Sequence, residues 1–223
     1  YQVNDSKELL TDKIFTRREL GLPEQKFVFC CFNHTYKITP AAFDSWARIL
    51  AEVKESVLFI YVDNDIAKTN LIKEITARNI NSDRLIFGER LPKSDYLARY
   101  KAADLFLDTR PFNAGTTASD ALRMGLPVLT LEGNSFNSRE AASILRSINL
   151  PELITSSEKE YESLAIEFGN NPEKIKLIKE KLVSNLSIAP LYNTPLFTKN
   201  LESAYAKMYH RYKQGLKPDH IYL

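Results

Sequence analysis

Residues 104–131 read DLFLDTRPFNAGTTASDALRMGLPVLTL and decide the fold, because they contain a strand pattern, a helix pattern and a second strand pattern. Asp104–Asp108 and Pro127–Leu131 are short apolar runs bounded by turn residues, which is typical of buried strands. The helix predicted over Thr116–Met124 stops at Gly125, a residue suited to closing a helix. Two strands joined by a helix of this length predict a parallel βαβ unit.

The same alternation continues on both sides of this unit. Further strands are predicted at Lys26–Phe32, Val57–Val62 and Arg84–Phe87. Helices are predicted from the Thr39 N-cap and Pro40 onward, and at Ile66–Asn79, Ser94–Ala102, Asn137–Ser147, Glu158–Phe168, Pro172–Ser187 and Leu196–Lys213. The chain is therefore predicted to be α/β: a Rossmann-like parallel sheet with helices on both faces, plus a helical C-terminal extension.

Composition excludes several classes of protein. The 223 residues include 30 Lys and Arg against 28 Asp and Glu, a net charge of +2, so neither nucleic acid nor a membrane surface is an expected partner. No apolar run approaches the ~18 residues of a transmembrane helix. Cys30 and Cys31 are adjacent, which is a poor geometry for a structural disulfide and fits a reducing cytoplasm. Because Tyr1 is not a start methionine, we expect the sequence to be cut from a larger protein.

The loop after the fourth predicted strand has the residues of an anion site. Gly115 allows close approach of a ligand to the backbone, and Thr116 and Thr117 offer N–H groups and hydroxyls at a helix N-terminus. Asp120 lies four residues after Thr116, on nearly the same helix face, and a carboxylate there suits a sugar diol. The pattern indicates a nucleotide, with its diphosphate on the helix end and its ribose on Asp120. The alternative is an ordinary threonine N-cap and a solvated aspartate.

Two other loops should reach the same edge, because the carboxyl ends of parallel strands lie together. Lys37 and His34 follow the first strand and could meet a phosphate, although either could equally be an ordinary surface residue. Lys93, Tyr96 and Arg99 recur at spacing three after the third strand. They could stack on a base and hydrogen-bond it, or form a plain solvated helix face.

Several motifs together resemble the protein O-GlcNAc transferases and the related Spindly-type transferases. They are Tyr1-Gln2-Val3-Asn4-Asp5, Phe32–Ile38, Leu91-Pro92-Lys93, Leu107-Asp108-Thr109, Gly115–Asp120, Met124–Thr130 and Lys217-Pro218-Asp219-His220. The resemblance implies the C-terminal, donor-binding half of a GT-B glycosyltransferase. It further implies a UDP-GlcNAc donor, inversion at the anomeric carbon, and no metal or other cofactor.

The resemblance also implies roles for particular residues. Lys37 falls on the family's phosphate-binding lysine and is the candidate catalytic residue, which stabilises the leaving group. Among the donor-binding positions, Thr116 and Thr117 fall on the threonine pair at the diphosphate. Asp120 and Lys93 fall on the carboxylate and the lysine at the ribose. Arg99 falls on the arginine that faces uracil, and Leu91 on a backbone contact to the base.

Three positions depart from the family pattern. His34 stands where the animal enzymes have a glutamine that touches the diphosphate. Tyr96 replaces a histidine that stacks on uracil, and tyrosine can also stack. Gly115 replaces another histidine at the helix start, which is expected to open space beside the phosphates.

The residue patterns and the resemblance together predict how the chain is organised and which partners it has. Residues 1–22 are expected to be a linker into the domain, 23–190 the Rossmann-like nucleotide-sugar-binding domain, and 191–223 the C-terminal helical extension. The expected partners are a UDP-sugar, a protein acceptor, and an N-terminal catalytic half with upstream helical repeats (TPR) in the same cytoplasmic protein. Three alternatives stay open: a GDP-fucose-using Spindly-like transferase, a GT-B nucleotide-sugar epimerase or hydrolase, and a docking module without activity.

Overall fold

The computed structural model describes residues 12–223, so Tyr1–Asp5 of the resemblance lies outside the described residues. Its centre is a six-stranded sheet in the order β3-β2-β1-β4-β5-β6. The strands are β1 (Phe27–Cys31), β2 (Ser56–Tyr61), β3 (Leu85–Gly88), β4 (Leu105–Leu107), β5 (Val128–Leu131) and β6 (Ile154–Thr155). Every neighbouring pair is parallel, as predicted.

Eight α-helices connect or follow the strands in residues 12–223. They are α1 (Pro40–Glu52), α2 (Asp65–Ala77), α3 (Lys93–Ala98), α4 (Thr116–Arg123), α5 (Glu140–Ser147), α6 (Glu158–Asn170), α7 (Pro172–Leu186) and α8 (Thr194–Lys213). The hydroxyl of Thr39 accepts the Ala42 N–H at 3.2 Å, which confirms the predicted N-cap of α1. Gly125 has a φ of 79° immediately after the Met124 C-cap of α4, so a glycine is needed at this turn.

The core lies between the sheet and its covering helices. Because a parallel sheet is buried on both faces, its strands are apolar almost throughout. Phe29, Phe59 and Phe106 from three central strands are fully buried, and so is Trp46 of α1. The indole of Trp46 donates to the hydroxyl of Tyr161 at 3.2 Å, which fixes α6 against α1.

The sequence patterns located the five longer strands closely but missed the sixth. No end of a predicted strand differs from its observed end by more than one residue. β6 spans only Ile154 and Thr155, which is too short to give a periodic pattern. The helix predicted from Asn137 begins only at Glu140, because Ser135 and Ser138 form a local hydrogen-bonded turn before it.

The C-terminal helices differ in how much they bury. Tyr161 and Phe168 of α6 are buried, and so are Ile175 and Leu182 of α7. No residue of α8 is buried, and most of its large side chains are exposed, namely those of Leu196, Leu201, Tyr205, Met208, Tyr209 and Tyr212. None of the helices in the described range is both long and apolar enough to span a membrane.

The described part of the predicted linker, residues 12–22, contacts the sheet. Arg17 donates to the carboxylate of Asp104 at 2.7 Å, to the backbone oxygen of Lys26 at 2.7 Å and to that of Ala102 at 3.2 Å. Lys179 of α7 pairs with the same carboxylate at 3.1 Å. These bonds fasten residue 17 to the start of β4, while the boundaries proposed for the domains stay predictions.

Candidate functional site

The strand order places a crevice between β1 and β4. β2 and β3 extend from one side of β1, whereas β4, β5 and β6 extend from the other, so the order reverses at this pair. Loops leaving the carboxyl ends of β1 and β4 diverge at such a point, and α/β proteins bind ligands there. The predicted residues of the first and fourth strand loops therefore fall at the topological switch point.

Lys37 is held at this crevice by the neighbouring loop. Its Nζ donates to the backbone oxygen of Asn113 at 2.9 Å and lies 3.8 Å from the centre of the Phe112 ring. Burial lowers the pKa of Lys37, whereas the nearby carboxylates of Asp108 and Glu140 raise it. An ammonium group is thus placed beside the β4–α4 loop with donors still available to a phosphate.

The N-terminus of α4 forms the other half of the crevice. Gly115 is its N-cap and supplies no side-chain acceptor, so the cap residue leaves the first N–H groups of the helix without a side-chain hydrogen bond. Thr116 is exposed and Thr117 half-buried. The hydroxyl of Thr117 donates to the side-chain oxygen of Asn33, which lies just after β1 and is buried. The two loops are therefore joined directly.

The buried carboxylate of Asp108, at the end of β4, holds the β4–α4 loop through hydrogen bonds. Its carboxylate accepts the N–H groups of Ala114 at 2.7 Å and Thr109 at 2.8 Å, and the hydroxyl of Thr130 at 2.7 Å. The amide of Asn33 donates to the Thr109 hydroxyl at 2.7 Å. Burial raises the pKa of Asp108 to about 7, although these hydrogen bonds and Lys37 act in the opposite direction. The buried carboxylate of Asp108 thus sets the path of the backbone that leads to Gly115.

Asp120 and Lys93 lie side by side, as a ribose site requires. One carboxylate oxygen of Asp120 is 3.7 Å from the Lys93 Nζ, and Asp120 is only 7% exposed. The side chain of Lys93 is 55% exposed. The two oxygens of a carboxylate can accept hydrogen bonds from both hydroxyls of a sugar diol.

Arg99 and Tyr96 belong to an aromatic cluster behind this pair. The guanidinium of Arg99 lies 3.9 Å from the ring centre of Phe32 and 4.8 Å from that of Tyr96, and it donates to the Glu89 backbone oxygen at 2.9 Å. Arg99 is 2% exposed, and its Nε has no hydrogen-bond partner. Tyr96 meets the ring of Tyr100 edge-on, and their hydroxyls are hydrogen-bonded.

Leu91 and Arg99 line the same small cavity. Its volume is about 320 Å³. Phe87, Gly88 and Glu89 line it beside Leu91 and Arg99, and Phe15, Glu19, Leu20 and Phe59 form its other walls. A cavity of this size accepts a planar ring of modest area. The structure thus brings Leu91 next to Arg99, as the backbone and side-chain contacts to a base would need.

His34 stands apart from the other predicted residues. It is exposed, and its ring stacks on Tyr36 at 5.7 Å with an angle of 14° between the planes. It also meets Tyr61 edge-on at 6.2 Å. His34 borders the crevice at its mouth, while Lys37 and Asn33 of the same loop reach inward.

The space that Gly115 was expected to open is taken by Glu140. A Cβ added at Gly115 would lie 2.1 Å from the Oε1 atom of Glu140 and 2.6 Å from its Cδ atom. Glu140 is the first residue of α5 and is half-buried. Its carboxylate therefore lies flat against the start of α4, and no larger residue fits at position 115 while it stays there.

Sequence reasoning missed the residues that position the site. Asn33, Asp108 and Asn113 are buried polar side chains, and each bonds the β4–α4 loop. The available signal was their place at strand ends, since a polar residue following a buried strand needs a partner inside the protein. Within residues 12–223 no group of three or more His, Cys, Asp or Glu side chains could hold a metal ion.

Comparison with known proteins agrees with this geometry. The glycosyl transferase family 41 model matches residues 4–201. A probable UDP-N-acetylglucosamine--peptide N-acetylglucosaminyltransferase SEC of Arabidopsis thaliana is 32% identical over 227 residues, which cover 99% of this chain and 23% of that protein. A UDP-N-acetylglucosamine--peptide N-acetylglucosaminyltransferase of Caenorhabditis elegans is 30% identical over 92% of this chain and 18% of its own length.

A solved structure shows the same fold. The K341M mutant of the Thermobaculum terrenum O-GlcNAc transferase superposes with a TM-score of 0.79 and 32% identity, over 82% of this chain and 36% of that one. The chain thus spans about a fifth of the length of the curated relatives, and its sheet and helices are those of a GT-B glycosyltransferase. On the match over residues 4–201 and on these relatives, the chain belongs to glycosyl transferase family 41.

Proposed function

We propose that this chain binds UDP-GlcNAc as the donor-binding half of an inverting protein O-GlcNAc transferase, which moves GlcNAc to Ser and Thr hydroxyls. The observation that carries the proposal is the convergence of three strand loops on one edge. Lys37 is bonded to the Asn113 backbone, Thr117 to Asn33, and Asp120 is paired with Lys93. Membership of glycosyl transferase family 41 indicates that the ligand of this edge is a nucleotide-sugar donor.

The edge offers a place for each part of a UDP-sugar. The cavity of Leu91 and Arg99 is the proposed base site, and Asp120 with Lys93 the proposed ribose site. The α4 N-terminus, with Thr116, Thr117 and Lys37, would hold the diphosphate. Base, ribose and diphosphate then follow one another from the β3 side of the sheet towards β4.

Catalysis by these residues would be electrostatic. When an acceptor hydroxyl attacks the anomeric carbon, negative charge grows on the departing diphosphate. Donors already aimed at those oxygens stabilise that charge without reorganising, and such a donor is commonly worth ~3 kcal/mol. Lys37 and the first N–H groups of α4 would supply this stabilisation, so no metal ion or other cofactor is required in the proposal.

The remaining parts of the activity are assigned to residues outside this chain. An N-terminal catalytic half would provide the catalytic base, and upstream helical repeats would recognise acceptor proteins. We infer a cytoplasmic setting, since Cys30 and Cys31 are free thiols inside the sheet.

The test compares nucleotides and then follows the sugar. Calorimetric titration of the full-length protein should give tighter binding of UDP than of GDP, and incubation with UDP-GlcNAc and an acceptor protein should transfer GlcNAc to Ser or Thr. A preference for GDP and transfer from GDP-fucose would favour the Spindly-like alternative. Release of free sugar or an epimer without acceptor would favour the epimerase or hydrolase. Absence of nucleotide binding would leave only the docking module.

A further inference from the structure

The carboxylate of Glu140 lies against Gly115 at the start of α4, where the diphosphate site is proposed. A Cβ on Gly115 would approach its Oε1 atom to 2.1 Å and its Oε2 atom to 3.1 Å, so the carboxylate lies over the Cα of the α4 N-cap. It is also close enough to Lys37 to raise the pKa of that lysine. Position 115 and Glu140 are therefore sterically coupled at the site.

The carboxylate has unused capacity for hydrogen bonds. Among residues 12–223, no protein group donates a hydrogen bond to it, whereas Asp120 is paired with Lys93 and Asp108 accepts hydrogen bonds from its own loop. An ionised carboxylate only accepts hydrogen bonds. A diphosphate diester has no proton to donate, so Glu140 does not serve to bind it. In the free protein this half-buried carboxylate can be hydrated, and a ligand that displaces that water next to the diphosphate replaces it best with a hydrogen-bond donor.

The order of the strands in the sheet indicates which part of the donor molecule lies next to Glu140. Asp120 meets Lys93 of α3, which follows β3, while Glu140 begins α5, which follows β5. β4 and the α4 N-terminus lie between these two sides in the order β3-β2-β1-β4-β5-β6. In a nucleoside diphosphate sugar the nucleoside and the sugar occupy opposite ends of the diphosphate. If Asp120 marks the nucleoside end, then Glu140 marks the sugar end.

We propose that Glu140 is a positioning residue that accepts a hydrogen bond from a hydroxyl or acetamido N–H of the donor sugar, and that Gly115 is small in order to admit it. This inference rests on the proposed function. It assigns Glu140 to donor specificity and not to the base, because attack with inversion comes from the face of the sugar opposite the diphosphate. A carboxylate beside the α4 N-terminus lies on the leaving-group face.

The experiment pairs changes in Glu140 with single changes in the ligand. Calorimetry on the full-length protein would measure UDP-GlcNAc, its 3-deoxy, 4-deoxy and 6-deoxy analogues, and UDP-glucose, which lacks the acetamido group. All five carry the same charge, so removal of a carboxylate affects their electrostatics equally. The wild-type protein should bind one analogue roughly 10-fold or more weakly, because a hydrogen bond to a charged group is lost.

In Glu140→Ala that difference should disappear, and UDP-GlcNAc and the affected analogue should bind equally. Gly115→Ala should have the same effect, since its methyl group displaces the carboxylate, and the double variant should add nothing further. Glu140→Gln keeps the shape and should retain only part of the discrimination. Glu173→Gln removes an exposed carboxylate on α7 and is the matched control, with no change expected.

Two results would overturn the assignment. If the affinity of every analogue relative to that of UDP-GlcNAc is the same in Glu140→Ala as in the wild-type protein, the carboxylate does not contact the sugar. The proposed nucleotide site is not contradicted by that result. If the wild-type protein binds none of the UDP ligands, the proposed function fails and this inference fails with it. UDP alone, measured in parallel, separates the two cases.

Discussion

The Nζ atom of Lys37 lies 2.9 Å from the backbone oxygen of Asn113, and this bond joins the loop after β1 to the loop after β4. The ammonium also lies 3.8 Å from the centre of the Phe112 ring, within the range of a cation–π contact. A long side chain held at both positions loses much of its freedom before any ligand arrives. The positive charge is therefore preorganised at the start of α4.

Lys37→Ala in the full-length protein should lower turnover ~100-fold or more, because a preorganised charged donor to the leaving diphosphate is removed. Steady-state kinetics with UDP-GlcNAc and an acceptor protein would measure the loss. Lys54→Ala, which removes an exposed lysine after α1, should change turnover little. Turnover close to wild type in Lys37→Ala would refute the catalytic role.

Asp120→Ala should weaken the binding of UDP roughly 10-fold, because a buried ribose diol loses its charged acceptor. Inorganic pyrophosphate has no ribose, so its affinity should stay unchanged and serves as the internal control. Both affinities can be measured by calorimetry on the same preparation. Equal weakening of both ligands would show that the substitution disturbs the whole site, and the ribose contact of Asp120 would have no support.

Asn33→Ala should weaken UDP binding and also lower the free energy of unfolding by ~1–3 kcal/mol, because the hydroxyls of buried Thr109 and half-buried Thr117 each lose a hydrogen bond. Asn185→Ala is the matched control. Its amide donates to the backbone oxygens of Ile148 at 2.9 Å and Asn149 at 3.3 Å, away from the crevice.

The two asparagine variants should lose similar stability in urea denaturation, yet only Asn33→Ala should lose affinity for UDP. If Asn185→Ala weakened UDP binding equally, the loss would follow from general destabilisation. The role of Asn33 in placing Thr117 would then have no support.

Activity should persist in EDTA, because the proposed leaving-group charge is met by Lys37 and the α4 N-terminus. The measurement is the rate of GlcNAc transfer before and after chelation and dialysis, with added Mg²⁺ as the second arm. A loss of rate that Mg²⁺ restores would show that a divalent cation takes part, and the electrostatic account given for Lys37 would need revision.

Local signals in the sequence were enough for most of the fold. Thr39 before Pro40 and Gly125 after a helical pattern specify their turns through their own chemistry, and both are observed where expected. An apolar run as long as that of β1, followed by a helical pattern, can be assigned to a buried strand. β6 was missed because two residues carry no period, and its place depends on hydrogen bonds to Thr130 and Leu131 of β5.

The candidate site was predictable only in part. Motif residues such as Lys37 and Asp120 could be assigned to one edge because parallel strands bring their carboxyl ends together. For Glu140, near a predicted helix start, the sequence left two interpretations open, a capping charge or a group facing the sugar, and its contact with Gly115, 25 residues earlier in the chain, is visible only in the structure. The burial of Arg99 among Phe32, Tyr61 and Tyr96 likewise depends on tertiary packing of three loops.

Asp108 links the stability of the fold to pH. Its carboxylate is 2% exposed at the end of β4, and burial raises its pKa to about 7 from the ordinary value of 3.8. A carboxyl group with a raised pKa in the folded state favours folding while it is protonated. This contribution is complete below a pH of about 4 and is lost as the pH rises through about 7.

Asp108→Asn should therefore remove a part of the pH dependence of unfolding. Asparagine keeps an oxygen for the N–H groups of Thr109 and Ala114, and its amide can donate to Thr130, so the variant should fold. Between pH 5 and 7 the free energy of unfolding of the wild-type protein should fall relative to the variant, by up to ~1.4 kcal/mol per pH unit. Urea titrations at several pH values measure this difference. Parallel curves for the two proteins would mean that Asp108 keeps an ordinary pKa, and that the hydrogen bonds it accepts outweigh its burial.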